Sequence, residues 1–114
     1  MRVKQALPLV RLEETSRQIY CGRFPIEGLT GLEFALLSCF VARPWVRMTK
    51  SELIQASWPD GGLDFVTDNS LYQIIRGLRQ KLVDDQRRYI VSWRGIPEGG
   101  YYFQPAGVPR IEEP

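Results

Sequence analysis

Residues 67–82, Thr-Asp-Asn-Ser-Leu-Tyr-Gln-Ile-Ile-Arg-Gly-Leu-Arg-Gln-Lys-Leu, limit the possible folds of this chain more than any other stretch. Leu71, Ile75, Leu78 and Leu82 recur at the spacing that aligns side chains on one face of an α-helix. That face must be buried, so the rest of the chain has to supply a core against it. On the opposite side fall Asn69, Gln73, Arg76, Gly77 and Gln80, flanked by Tyr72, with no carboxylate among them. Asp68 opens the helix, where a negative charge complements the macrodipole. Amides and guanidinium groups are the side chains that pair bidentately with purine edges in a DNA major groove. A solvated face that happens to lack acids would produce the same pattern.

The residues after this helix favour the first reading. Arg87-Arg88-Tyr89-Ile90-Val91-Ser92-Trp93-Arg94-Gly95 leads through Ile96-Pro97-Glu98-Gly99-Gly100 into Tyr101-Tyr102-Phe103, which reads as a strand, a glycine-rich turn and a second strand. A basic helix followed at once by a hairpin with arginine at its tip is the layout of a winged helix-turn-helix. The charge distribution agrees. Arg76, Arg79, Lys81, Arg87, Arg88 and Arg94 face only Asp68, Asp84 and Asp85 in this region, so the net charge of +2 is concentrated there and the remainder is slightly acidic.

A length of 114 residues with 44% hydrophobic content suits one domain with one ordinary core. With no histidine and only two cysteines, far apart in sequence, a zinc knuckle and a histidine-based triad are excluded. Cys39 lies in an apolar helical run and reads as a small core side chain; Cys21 closes a strand. No long apolar run follows the amino terminus, so neither signal peptide nor transmembrane span is expected, and a cytoplasmic setting is the default. The acids form no catalytic cluster. No enzyme activity, cofactor, metal or small-molecule substrate is expected.

In chain order, residues 9–12 and 18–21 read as short strands and residues 24–26 as a third extended segment, with Pro25 marking an edge. Thr30-Gly31-Leu32-Glu33 is a capping box opening a helix to about Ala42. Leu32, Phe34, Leu36, Leu37, Phe40 and Val41 wrap nearly round it, which predicts a helix sandwiched in the core. Arg43-Pro44 ends it and residues 45–48 read as an extended connector. Thr49-Lys50-Ser51-Glu52 is a second capping box, for a helix to about Ser57, and Pro59-Asp60-Gly61-Gly62 turns the chain. Residues 63–66 read as a loop, making the connection long for a helix-turn-helix; long loops are often contact surfaces, and a plain connector is the alternative. The expected organisation is an N-terminal extension (1–8), a winged-helix domain (9–104) and a tail or linker (105–114).

These motifs, in this order and spacing, resemble the OmpR/PhoB-type winged-helix DNA-binding domain, the output module of bacterial two-component phosphorelay regulators, and the related cytoplasmic domains of ToxR/CadC-type regulators. The matching residues are Leu29-Thr30-Gly31-Leu32-Glu33-Phe34-Ala35-Leu36-Leu37, Thr49-Lys50-Ser51-Glu52-Leu53 with Trp58, Leu71, Ile75, Leu78-Arg79-Gln80-Lys81-Leu82, and Ile90-Val91-Ser92-Trp93-Arg94-Gly95 through Gly100-Tyr101. The resemblance implies an α+β fold with a small N-terminal antiparallel sheet, three helices and a C-terminal β-hairpin wing. It implies DNA contacts from Asn69, Ser70, Gln73, Ile74, Arg76, Gly77 and Arg79 of the helix and from Ser92 and Arg94 of the wing; Tyr72 and Gln80 complete the candidate surface. Gly77 stands where many relatives carry a large basic side chain, Tyr72 replaces a frequent aspartate, and the wing between Arg94 and Tyr101 is longer than usual.

The implied function is sequence-specific binding of double-stranded DNA for bacterial transcription regulation, as a free monomer that forms a head-to-tail dimer on DNA. RNA polymerase is a further candidate partner, through the 58–66 loop, and a receiver or sensor domain is a candidate in a longer parent protein. The alternative from a different class is a winged-helix protein-interaction module.

Overall fold

In the computed structural model, residues 7–84 and 86–107 are described, and the expectations for residues 1–6 and 108–114 lie outside them. The N-terminal segment folds as an antiparallel meander of β1 (Val10–Glu13), β2 (Gln18–Cys21) and β3 (Phe24–Pro25), with Val10 opposite Cys21 and Tyr20 opposite Pro25. Alternation along these strands turns Val10 and Ile19 inward against the helices. This small sheet closes one side of the core.

Helix α1 (Gly31–Ala42) starts at the expected capping box: Thr30 Oγ1 accepts from the Glu33 amide at 3.1 Å, and Glu33 Oε1 accepts from the Thr30 amide at 2.9 Å. Such a cap contributes about 1 kcal/mol. Leu36, Leu37 and Phe40 are fully buried while Leu32 is substantially exposed, so the nearly all-round apolar helix is sandwiched over most of its circumference but not all. It packs against α2 (Lys50–Ser57), against α4 (Asp68–Lys81) and against strands of both sheets. A second capping box, Thr49 with Glu52, opens α2.

Two segments differ from the sequence reading. The stretch before α2 ends as a strand, β4 (Met48–Thr49), which pairs with β6 (Gly100–Phe103), and β6 in turn pairs with β5 (Ile90–Trp93). The wing hairpin is therefore part of a three-stranded sheet with β6 in the middle. Gly100 has a steric reason here, because a Cβ at that position would drive into the Met48 carbonyl. The second difference is α3 (Gly62–Phe65), a single helical turn where a loop was expected, which raises the helix count from three to four among the described residues. Gly62 donates to the Trp58 carbonyl at 2.9 Å and lies so close to Trp58 and Ile54 that α3 is wound directly onto the end of α2. No side chain caps α3, which is why capping signals did not reveal it.

Aromatic rings join the layers: Phe103 stacks on Phe40 of α1 at 5.8 Å and on Tyr89 at 6.4 Å. Tyr89 donates its phenol to the Pro8 carbonyl at 2.5 Å, fastening the wing sheet to the N-terminal sheet. Burial pushes that phenol above its ordinary pKa, and the contact with Cys21 adds to the shift. Both cysteines are free thiols, and Cys39 is buried as expected. No helix among the described residues is long and apolar enough to cross a membrane.

The joint between α4 and β5 is made by Asp84, which is 2% exposed. Its carboxylate accepts from the amides of Arg88 (2.6 Å), Tyr89 (3.0 Å) and Ile90 (2.9 Å), so one side chain satisfies three backbone donors, those of Tyr89 and Ile90 buried. Asp84→Asn would point an NH2 group at N–H donors. It should cost about 2–3 kcal/mol, read as a lower urea midpoint with an unchanged dependence on denaturant.

Candidate functional site

Helix α4 presents three distinct sides. Leu71, Ile75 and Leu78 are fully buried. Asn69, Gln73, Arg76 and Gln80 are exposed together on the opposite side, as the periodicity predicts, with Tyr72 beside them. The helix begins at Thr67, whose Oγ1 accepts from the Ser70 amide at 3.1 Å while Ser70 Oγ accepts from the Thr67 amide at 2.7 Å. Ser70 takes the place usually held by glutamate in a capping box, and its hydroxyl is engaged in that cap. Lys50, at the start of α2, lies 3.6 Å from Asp68 and brings the two helix starts together.

One flank of α4 is locked to the wing sheet. Arg79 NH2 donates to the Ile90 carbonyl at 2.7 Å and to Ser92 Oγ at 3.3 Å, and its guanidinium lies 6.0 Å from the Tyr101 ring centroid. Burial and then the neighbouring Arg87 charge pull the Arg79 pKa below its ordinary value, although an arginine remains protonated. Arg79 is thus a clamp between α4 and β5 before it is anything else. Ser92 and Arg94 are both exposed, and Arg94 follows β5 directly at the root of the long wing turn. Glu98 reaches from that turn to the Ser51 amide at 3.4 Å, which draws the turn's acid toward the start of α2.

The other flank faces α1, and it corrects the expectation for Gly77. The helical period places the glycine on the outer face, away from the domain's own core. It instead lies under the Glu33 carboxylate: a Cβ at Gly77 would run into Glu33 Oε2. Glu33 is 7% exposed and pairs with Lys81, whose Nζ also donates to the Gly28 carbonyl at 2.7 Å. Gly77 and Lys81 fall on the same flank of α4, so a bare helix surface at 77 lets the carboxylate lie flat between the two helices. Burial of Glu33 works against its ionisation, but Lys81 and the Thr30 amide outweigh burial and hold the carboxyl below the ordinary glutamate range. A depressed pKa contributes stability that is complete above the ordinary glutamate value and is lost as pH falls through the lower folded value.

Of the sequence-predicted residues, Asn69, Tyr72, Gln73, Arg76 and Gln80 form one exposed strip, and Ser92 joins it through Arg79. Arg94 extends it past the end of β5. Gly77 and Ile74 lie on the flank toward the core, Ile74 packed against core residues. Sequence reasoning gave Glu33 only its capping role, because its second role depends on helices meeting across 48 residues of separation.

A family described as "Transcriptional regulatory protein, C terminal" matches residues 27–103. The chain is 33% identical over 87 residues to the response regulator MprA of Mycobacterium avium (strain 104) and, to the same extent, to MprA of Mycobacterium tuberculosis (strain H37Rv). Those alignments cover 75% of this chain and 36% of each relative's length. Among solved structures, it is similar to one described as "A novel family of redox sensors in the streptococci evolved from two-component response regulators", with a TM-score of 0.64 and 29% identity, covering 91% of this chain and 43% of that one. It also shares the fold of the Klebsiella pneumoniae RstA DNA-binding domain, described in complex with the RstA box. That match has a TM-score of 0.62 and 20% identity, with 90% of this chain and 99% of that one covered.

The Gly77–Glu33 contact sets the sign of a substitution. Gly77→Ala should lower the thermal midpoint by the equivalent of about 1 kcal/mol, because the new methyl displaces a pinned carboxylate. In a Glu33→Ala background the same substitution should raise it, since alanine's helix propensity advantage of about 1 kcal/mol is then unopposed. Thermal unfolding of the four proteins measures both differences.

Proposed function

The chain belongs to the family of transcriptional regulatory protein C-terminal domains, and we propose that it binds double-stranded DNA sequence-specifically to regulate transcription in bacteria. The observation that carries this reading is the acid-free exposed strip of Asn69, Gln73, Arg76 and Gln80, fastened through Arg79 to a wing that continues to Arg94. A helix of this composition reads base edges in the major groove, while Ser70, Arg79, Ser92 and the wing address phosphates and the flanking minor groove. The RstA domain, which shares this fold, is described as a DNA-binding domain in complex with the RstA box, which supports DNA as the partner. Tyr72 and Gln80 border the reading strip. Gly77 contributes by letting α4 sit close to α1 rather than by admitting the DNA itself.

The proposed activity is binding without catalysis, with no cofactor and no small-molecule substrate, in the cytoplasm. The chain spans about a third of the length of the MprA relatives, and a receiver or sensor domain in a longer parent protein is the corresponding proposal for how a signal arrives. The domain is proposed to be monomeric when free and to pair head to tail on tandem half-sites.

A second partner is favoured by α3. Leu63 and Phe65 are 53% and 57% exposed on a one-turn helix wound onto the end of α2, an apolar presentation just ahead of α4. RNA polymerase docking through the 58–66 loop fits this display. On a selected promoter, Leu63→Ser with Phe65→Ser should reduce transcription several-fold while leaving duplex affinity unchanged; equal transcription would make α3 a plain connector.

Anisotropy titrations of duplexes selected from a random pool test the main reading. Gln73→Ala and Arg76→Ala should each cost roughly 1–3 kcal/mol of discrimination at one or two base pairs. Equal losses on selected and random duplexes would reassign these side chains to phosphate. No affinity at micromolar protein and low salt would reject DNA binding in favour of a protein-interaction module.

A further inference from the structure

Along the C-terminal half of α4 and the turn after it lies a cavity of about 370 Å³ framed by Arg76, Arg79 and Arg87, with Tyr72 and Val83 as walls. Asp84 is the acid of its lining, and the Asp84 oxygens are already taken by the amides of Arg88, Tyr89 and Ile90. Among the described residues, three guanidinium groups and one carboxylate, its oxygens already engaged, border this space, which leaves it with an excess of positive charge. Arg79 also keeps a buried Nε without a partner. Val83 and Arg87 both adopt the left-handed region, each with φ of 54°, in the turn that carries Arg87 to the cavity. That conformation is costly for a β-branched residue such as valine, and the Asp84 bonds hold the turn in it.

We propose that this cup is a phosphate seat, with Arg87 as a binding residue beyond the exposed strip of α4. Three guanidinium groups lining one space, from α4 and the turn after it, attract an oxyanion, and arginine's fixed fork of N–H donors matches phosphate oxygens. A bound phosphate would relieve the repulsion between Arg79 and Arg87. The source of the phosphate rests on the DNA-binding reading: the cup opens beside Arg76, so a backbone phosphate of a duplex lying on α4 is within its reach. A free phosphate ion is the other source of the same chemistry.

Titration of the domain with sodium phosphate, against sodium chloride at matched ionic strength, reads the arginine Nε–H resonances by NMR. Phosphate should move the Arg79 and Arg87 signals saturably and raise the thermal midpoint, and Arg87→Gln should abolish saturation. In a parallel experiment on random duplex DNA, Arg87→Gln should flatten the log–log salt dependence of binding by about 0.9, the equivalent of one phosphate. Saturable phosphate binding with an unchanged salt slope supports the seat and assigns it to the free ion. Saturable binding in a domain with no duplex affinity likewise supports the seat while removing the DNA reading. Linear, unsaturable shifts together with an unchanged slope overturn the proposal. Should Arg87→Gln fail to fold, Val83→Asp is compared with Val83→Asn, both able to adopt the left-handed turn. The aspartate places a carboxylate in the seat and should weaken phosphate binding at least about tenfold relative to asparagine; equal binding by the two variants overturns the proposal.

Discussion

The buried carboxylate of Asp84 fixes the angle at which α4 meets the wing sheet. An isolated buried charge would be prohibitively costly, and this one is stabilised by three amide donors at the start of β5. Those donors come from consecutive residues, so the carboxylate defines the direction of the chain as well as its position. Arg79 and Ser92 can meet only because this joint has already brought β5 alongside the helix. The proposed phosphate seat depends on the same joint, which presents Arg87 and turns the Asp84 oxygens toward the β5 amides.

The outer strip of α4 is free to meet a partner because its two flanks are committed within the domain. On one side Glu33 and Lys81 hold the helix to α1 over Gly77; on the other Arg79 holds it to β5. The two attachments differ in kind. The first is a partly buried ion pair, with Glu33 covered and Lys81 still reached by solvent; the second is a guanidinium bonded to a backbone carbonyl, which a change of side chain on β5 would leave in place. Together they limit rotation of α4 about its axis, and specificity for a base sequence requires that its side chains arrive at fixed azimuths.

Much of this was legible in the sequence wherever the signal is local. The apolar period of α4, the capping boxes at Thr30 and Thr49 and the strand–turn–strand pattern near the C-terminus each correspond to an observed element. Helix α3 was not legible, because a single turn lacks both a period and a side-chain cap. The pairing of β4 with β6 was hidden because two residues are too few to alternate. The strip from Asn69 to Gln80 follows from helical geometry, but the flanks do not: Gly77 reads as exposed until α1 is placed over it, and Arg79 reads as a free cation until β5 is placed beside it. A helical wheel gives the direction of a side chain and says nothing of what stands there.

The bond from Tyr89 to the Pro8 carbonyl spans 81 residues, and β6 is shared between a neighbour a few residues away and one on the far side of α2 and α4. The β5–β6 hairpin can close early, since only residues 94–99 separate its strands. Its union with β4 and with the amino-terminal segment must await the ordering of most of the chain between them, at a loop-closure cost recovered only when those contacts form. During synthesis, then, α4 leaves the ribosome before the strands that orient it. The finished surface becomes available only once both ends of the domain have come together, so a truncated or nascent chain that already contains the whole of α4 does not yet hold it in a reading pose.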